Sequence, residues 1–110
     1  MAYDKDLAER LRARLAGLPA VAEREMFGGI AFLVGGNMAV GVTGDELMVR
    51  VGKDAHDATV SLPGARIFDL SSSRPMIGWL VVAPEGFATE AEFDSWVQRG
   101  VDFAESLPPK

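Results

Sequence analysis

Hydrophobic and polar positions alternate most regularly between residues 29 and 51, where three apolar runs are separated by two short glycine-containing turns. In the first run, Ile30 and Phe32 fall on one face of an extended chain, and the residues between them are apolar as well. Because residues two apart share a face of a strand, this run predicts a strand buried on both faces. The turns, Gly35-Gly36-Asn37 and Gly44-Asp45, are short enough to make the three strands antiparallel neighbours.

Three further segments have the composition of strands. Val21 to Met26 contains three consecutive charged residues, which are typical of an edge strand that must not pair with other chains. Ala65 to Leu70 and Met76 to Val82 predict a second antiparallel pair, joined by a polar loop at residues 71–75. Since the run from Met76 to Val82 is apolar throughout, we expect a central strand that is covered on both faces.

Helical periodicity first occurs near the N-terminus. Leu7, Leu11 and Leu15 are spaced four residues apart and form one apolar stripe of a helix. Asp4 or Asp6 can cap the free N–H groups at its start, and the glycine and proline that follow Leu15 predict its end. We expect this helix to lie on the sheet.

Two more helices are predicted. Gly52 to Pro63 has near-helical spacing of its apolar residues, and Asp54 is the candidate cap. Thr89 and Glu92 form a capping box, in which the hydroxyl and the carboxylate each accept a hydrogen bond from the other residue's backbone. The helix that follows has an apolar stripe consisting of Phe93, Trp96, Val97, Gly100, Val101 and Ala104.

The order of elements is helix, three or four strands, helix, two strands, helix. Strands joined by short turns, with helices at the ends of the strand blocks, predict an α+β fold: an antiparallel sheet of five or six strands with helices packed on it. A chain of 110 residues fits one domain, residues 1–110. We expect its core to include Leu11, Phe32, Val40, Val49, Trp79, Leu80, Trp96 and Val97.

Composition narrows the function classes. The formal net charge is −5, so the chain as a whole repels a phosphate backbone, and we expect no direct nucleic-acid binding. Arg10, Arg12 and Arg14 lie among acidic residues, so we expect an ordinary solvated face there. The absence of cysteine excludes disulfides and thiolate sites. No apolar run approaches the roughly 18 residues of a membrane span, so we expect no membrane contact and a cytoplasmic location.

Candidate chemistry is sparse. His56 is the single histidine, and Asp54 and Asp57 beside it make a metal site conceivable. These three side chains point in different directions around a helix, so we expect a surface histidine rather than a metal ligand. No nucleophile stands near a base with an orienting third group, and no spacing selects a pair of carboxylates. We therefore predict no catalytic residue, no cofactor and no metal.

Five short motifs in this order resemble the TfoX/Sxy N-terminal domain family. They are Met26-Phe27-Gly28-Gly29, Gly35-Gly36-Asn37, Asp45-Glu46-Leu47, Arg74-Pro75-Met76 and Ser95-Trp96-Val97. The resemblance implies an α+β domain similar to secretion chaperones. It also implies a relation to regulators of bacterial competence genes, which act together with a transcription activator. Those regulators carry a C-terminal domain that this sequence lacks, so we expect a stand-alone, single-domain member.

The first of these motifs contains the candidate interaction site. The bend at Gly28-Gly29 is too sharp for both Met26 and Phe27 to be buried, so one of them should remain accessible beside Arg24 and Arg50. Aromatic, methionine and arginine side chains are enriched at protein interfaces. This predicts a small apolar patch with a cationic rim.

The occupant of that patch stays open at this point: an unidentified partner protein, or a second copy of the chain in a homodimer. Both apolar side chains could equally be core residues, since large apolar residues are usually inside. The leading hypothesis is a non-enzymatic protein-interaction or regulatory module. The alternative is a small-molecule-binding protein or enzyme that uses a cleft beside Met26 to Gly29.

Overall fold

The computed structural model describes residues 3–26, 28–68 and 77–109. Within these residues the chain forms six strands, three α-helices and one short 3₁₀ turn. In chain order they are α1 (Lys5–Leu15), β1 (Val21–Met26), β2 (Gly29–Val34), β3 (Asn37–Thr43), β4 (Glu46–Arg50), α2 (Lys53–Val60), β5 (Ala65–Ile67), β6 (Trp79–Val82), the 3₁₀ turn Pro84–Phe87 and α3 (Glu90–Ser106).

The six described strands form one sheet in the order β1-β2-β3-β4-β6-β5, and each neighbouring pair is antiparallel. Short turns make β1 to β4 a meander. The β5–β6 hairpin joins the meander through β6, which leaves β1 and β5 as the edges. The predicted α+β fold, an antiparallel sheet of five or six strands with helices packed on it, is confirmed.

Helices α1 and α3 pack against one face of the sheet, and the main core lies between them and the strands. Trp96 of α3 is buried, and its indole N–H donates to the carbonyl oxygen of Gly86 at 3.1 Å. Seven of the eight predicted core residues are buried: Leu11, Phe32, Val40, Val49, Leu80, Trp96 and Val97. The eighth, Trp79, is only partly buried, because it begins β6 at the end of the sheet.

The opposite face of the sheet is also covered. Ala31 and Met48 are fully buried there, together with Met38, Phe68 and Val81. All six residues of β2 are buried, as the apolar run on both of its faces predicted. The central strands are therefore buried on both faces, and the described strand residues reach the surface on the edge strands and at strand ends.

The second strand pair is shorter than predicted. β5 ends at Ile67, and β6 begins at Trp79 rather than at Met76. Ile77 and Gly78 form a turn because Gly78 has a φ of +91°, which a strand does not permit. Ile77 is consequently exposed instead of covered. The predicted polar loop and Met76 lie outside the described residues.

Helix starts follow their local sequence in two cases of three. The Asp4 carboxylate caps α1 by accepting from the N–H groups of Asp6 and Leu7 at 2.9 and 3.2 Å. The capping box of α3 is formed as predicted. Asp54 does not cap α2, because the helix begins at Lys53, two residues earlier than a cap at Asp54 requires, and Gly52 occupies the cap position. No helix in the described part of the chain is long and apolar enough to cross a membrane.

The basic face of α1 is neutralised by other elements. Arg10 and Arg14 pair with Glu90 and Asp94 of α3, with nitrogen–oxygen distances of 2.9 and 3.2 Å. Arg12 pairs with a glutamate of β1 at 2.6 Å. These pairs are solvent-exposed, so each stabilises the fold by at most about 1 kcal/mol. Each of the three arginines of α1 therefore has a carboxylate partner within the chain.

Gly100 sets how closely α3 approaches β3. A Cβ atom at this position would lie 2.4 Å from the Ala39 carbonyl oxygen and 2.6 Å from a methyl carbon of Val40. Gly100→Ala should therefore displace α3 and lower the free energy of unfolding by about 1–3 kcal/mol, as measured by urea denaturation. Gly17→Ala is the matched control, because no atom lies within 4 Å of its Cβ position. Equal stabilities of the two variants would contradict this packing.

Candidate functional site

The chain after β4 meets the turn before β6 at two glycines, Gly52 and Gly78. Their φ angles, +84° and +91°, are in the region that favours glycine. The N–H groups of Val51 and Gly52 both donate to the Gly78 carbonyl oxygen, at 2.8 and 3.1 Å. A Cβ atom on Gly78 would lie 2.8 Å from the carbonyl carbon of Gly52, so only glycine permits this approach. We call this contact the glycine junction.

His56 of α2 completes the junction. Its Nδ1 atom accepts a hydrogen bond from the Gly78 N–H at 2.9 Å, and the residue is only 6% exposed. The prediction of a surface histidine is therefore wrong: the first turn of α2 packs against the turn before β6, and a backbone donor there takes the imidazole lone pair. Among the described residues, no group of three histidine or carboxylate side chains is arranged to hold a metal ion.

A cleft of about 490 Å³ opens beside the junction, where β4 ends, α2 begins and α3 makes its last turns. Its walls include Arg50, Lys53, Ile77, Trp79 and Phe103. Phe103 packs directly on the junction, because a Cβ atom on Gly52 would lie 2.3 Å from its ring. The cleft thus depends on the same two glycines that join the sheet to α2.

Arg50 is in contact with two aromatic rings of this cleft. Its guanidinium carbon is 4.8 Å from the centre of the Trp79 ring and 5.1 Å from the centre of the Phe103 ring. Both distances are within the range of a cation–π interaction. Partial burial lowers the pKa of Arg50 from its usual value, because the charged form loses hydration. The guanidinium stays charged at neutral pH. The ring contacts restrict its position, and its charge remains available to a ligand.

Within the described residues, no carboxylate lies within ion-pair distance of Arg50. This separates it from the arginines of α1, which are paired. It also separates it from Arg66 of β5, whose guanidinium holds both carboxylate oxygens of Glu46 at 2.7 Å. That pairing lowers the pKa of the Glu46 carboxyl group. Arg50 is therefore a cation whose contacts are aromatic rather than acidic.

Apolar and charged groups share the rim of the cleft. Ile77 is 46% exposed, the one large hydrophobic side chain in the described chain that is classed as exposed. Lys53 and Asp54, in the first turn of α2, are exposed as well. The cleft therefore offers two cations, one carboxylate and an apolar edge to whatever enters it.

The structure separates the residues that the sequence grouped into one site. Arg24 is exposed on β1, at the edge of the sheet, whereas Arg50 ends β4. β2 and β3 lie between them, and three strand spacings amount to about 14 Å. Met26 is the last residue of β1, and Phe27 lies outside the described residues. A partner-binding role for Arg24, Met26 and Phe27 stays a prediction, while Arg50 is brought together with Trp79 and Phe103 instead.

Two members of the cleft were missed by sequence reasoning. Trp79 was assigned to the core because it lies in a continuous apolar run, and Phe103 received no role. A signal for Phe103 does exist: it is an aromatic residue seven positions after Trp96, at the edge of the apolar stripe of α3. Arg50 at the end of a predicted strand, two residues before Gly52, is a second signal, although neither signal indicates that Arg50 and Phe103 meet.

Comparison with known proteins identifies the family of the chain. The family model described as the TfoX N-terminal domain matches residues 13–104, which is most of the chain. No curated protein and no solved structure matches the chain.

The structural role of His56 can be tested by two substitutions. His56→Leu leaves the buried Gly78 N–H without an acceptor and should lower the free energy of unfolding by about 1–3 kcal/mol, measured by urea denaturation. His56→Asn provides an amide oxygen that can replace Nδ1 as the acceptor, so its free energy of unfolding should fall by less. Equal losses in both variants would show that the hydrogen bond to Gly78 is not what the imidazole contributes.

Proposed function

The chain belongs to the TfoX N-terminal domain family, and on that premise we propose that it is a non-enzymatic protein-interaction or regulatory module. The observation that carries the proposal is Arg50, a partly buried guanidinium in contact with the rings of Trp79 and Phe103 at an open cleft. Arginine and tryptophan are the side chains most often found to dominate the energy of protein interfaces. A rigid cation beside exposed apolar surface is therefore suited to contact another protein.

The position of His56 supports the non-enzymatic part of this proposal. A general base needs a free lone pair within reach of the substrate. The single histidine of the sequence is buried, and its Nδ1 lone pair is taken by a backbone N–H. Lys53 and Asp54 are exposed groups of the cleft, and neither side chain has an ion-pair partner among the described residues, so they resemble recognition groups more than a catalytic pair.

A regulatory role would then act through a bound protein rather than through contact with DNA. The net charge of −5 opposes a phosphate backbone, and the arginines of α1 are engaged by the carboxylates of α3 and β1. The partner and the pathway are left open by this proposal. A second copy of the chain is one of the partners that the experiment below distinguishes.

The size of the cleft favours a second candidate function, the binding of a small molecule. Ligand sites typically have volumes of ~300–1,000 Å³, and the cleft has about 490 Å³. It lies at the glycine junction rather than beside Met26 to Gly29, where the sequence had placed the alternative cleft. A small ligand would be recognised by the same Arg50, so it competes with a protein partner for one site.

An affinity capture with two matched charge reversals tests the interaction module. The tagged chain, Arg50→Glu and Arg24→Glu are each used as bait in extract of the cells that express the chain, and bound proteins are quantified by mass spectrometry. We expect a partner that is retained by the wild type and by Arg24→Glu but reduced about tenfold or more by Arg50→Glu, as for an interface hot spot.

The other outcomes of the capture are informative. Loss with Arg24→Glu alone would place the partner site at the β1 edge, which was the prediction from the sequence. A wild-type bait that retains nothing above an unrelated acidic protein, and that is monomeric by light scattering, would contradict the interaction module.

The absence of direct DNA binding is a separate prediction. At a physiological ionic strength of ~0.15 M, we expect duplex DNA to bind more weakly than about 1 μM, as measured by fluorescence anisotropy. The matched variant combines Glu90→Gln and Asp94→Asn, which releases Arg10 and Arg14 and should strengthen binding. Wild-type binding tighter than that limit would show that the ion pairs of α1 do not keep phosphate away.

A further inference from the structure

We infer that the cleft at the glycine junction receives an acidic segment of a partner protein, with a carboxylate on Arg50 and an apolar side chain against Ile77 and Phe103. The inference rests on the proposed interaction function and specifies the chemistry of the partner. Three observations carry it: the charge of the cleft, the geometry of Arg50 and the apolar rim.

The charge of the cleft is opposite to that of the protein. The chain has a formal net charge of −5, yet its cleft is lined by Arg50 and Lys53 against the single carboxylate of Asp54. Elsewhere, Arg10, Arg12, Arg14 and Arg66 are each paired with a carboxylate of the chain itself. No carboxylate of the described residues pairs with Arg50, so its charge is open to a complement from another molecule.

The geometry of Arg50 favours a carboxylate as that complement. Contact with two rings restricts the rotamers of the guanidinium, so less conformational entropy is lost when it binds. Cation–π contacts leave the N–H donors of a guanidinium free for other partners, and these donors match the two oxygens of a carboxylate. Lys53, in the first turn of α2, adds a second positive charge at the same opening.

The apolar rim favours a protein segment over a free anion. A phosphate or a small carboxylate would use Arg50 and Lys53 but would leave Ile77 and Phe103 in water. Ile77 is 46% exposed, and Phe103 is partly exposed beside it. A segment that presents an acidic residue next to an aromatic or aliphatic one would satisfy the charge and bury this surface together. Nucleic acid offers the charge without the apolar side chain.

Selection from a library of random short peptides displayed on phage tests the inference with the purified full chain. We expect enriched peptides to contain aspartate or glutamate within two positions of an aromatic or aliphatic residue. The affinity of the most enriched peptide, measured by fluorescence anisotropy, should fall about tenfold or more in Arg50→Gln, and it should also fall as salt is added.

Arg99→Gln is the matched control. Arg99 also lies over a tryptophan, with its guanidinium carbon 4.9 Å from the centre of the Trp96 ring, but it is not part of this cleft. Its substitution should leave the affinity for the peptide unchanged. Arg50→Lys keeps the charge and loses the planar fork, so its affinity should be intermediate. If Arg50→Gln fails to fold, Ile77→Gln replaces it, because that side chain is exposed and its loss should weaken only the apolar contact.

Several results would overturn the inference: no enriched peptide, enriched peptides without carboxylates, or equal affinity of the wild type and Arg50→Gln. Displacement of the peptide by inorganic phosphate or duplex DNA as readily as by unlabelled peptide would indicate a phosphate site and would overturn it too. A chain that self-associates through Arg50 in light scattering would show that a second copy occupies the cleft, and that result would overturn the inference as well. A captured partner that depends on Arg50 but lacks an acidic segment would leave the interaction module standing and remove only this inference.

Discussion

The glycine junction is the constraint on which the rest of the architecture depends. The Gly78 carbonyl oxygen accepts from Val51 and Gly52 just beyond the last paired residues of β4, and the Gly78 N–H donates to His56 of α2. One peptide region thereby connects the meander, the β5–β6 hairpin and the second helix. A side chain at Gly78 would meet the Gly52 backbone at 2.8 Å, so the contact cannot be relaxed by a rotamer change. Phe103 packs on the other side of Gly52, which ties the end of α3 to the same point.

The positions of the arginine side chains follow from the burial of the sheet. The sheet is buried on both faces, so arginines can reach water only from helices, edges and strand ends. Those of α1 lie opposite carboxylates of α3 and β1, and Arg66 on the edge strand lies opposite Glu46. At the end of β4 the neighbouring backbone belongs to Gly52 and Gly78, which have no side chains to pair with an arginine. Arg50 therefore meets the aromatic residues that surround the junction instead of an acid.

Sequence reasoning recovered what neighbouring residues decide and missed what distant residues decide. The strand alternation, the Asp4 cap and the Thr89–Glu92 capping box each depend on residues within one turn or one strand, so their signals are local. The burial of His56 and the grouping of Arg50 with Phe103 depend on elements that are far apart in the chain and meet only in the folded sheet. Strand order also depends on the whole fold. The sequence placed Arg24 and Arg50 on the rim of one patch, but two strands separate them in the sheet.

At Arg50 the residue present is not the one that would make the fold most stable. Removing a guanidinium partly from water costs hydration free energy, and aromatic contacts return only about 0.5–2 kcal/mol each. A chain selected for stability alone would pair this cation with an acid, as it does for Arg66, or would place an apolar residue at the strand end. Conflicts of this kind are expected at functional sites, where an interaction is left for a ligand to complete. The same rings that fail to neutralise the charge also hold it in one position, so a partner would gain the ion pair without ordering the arginine.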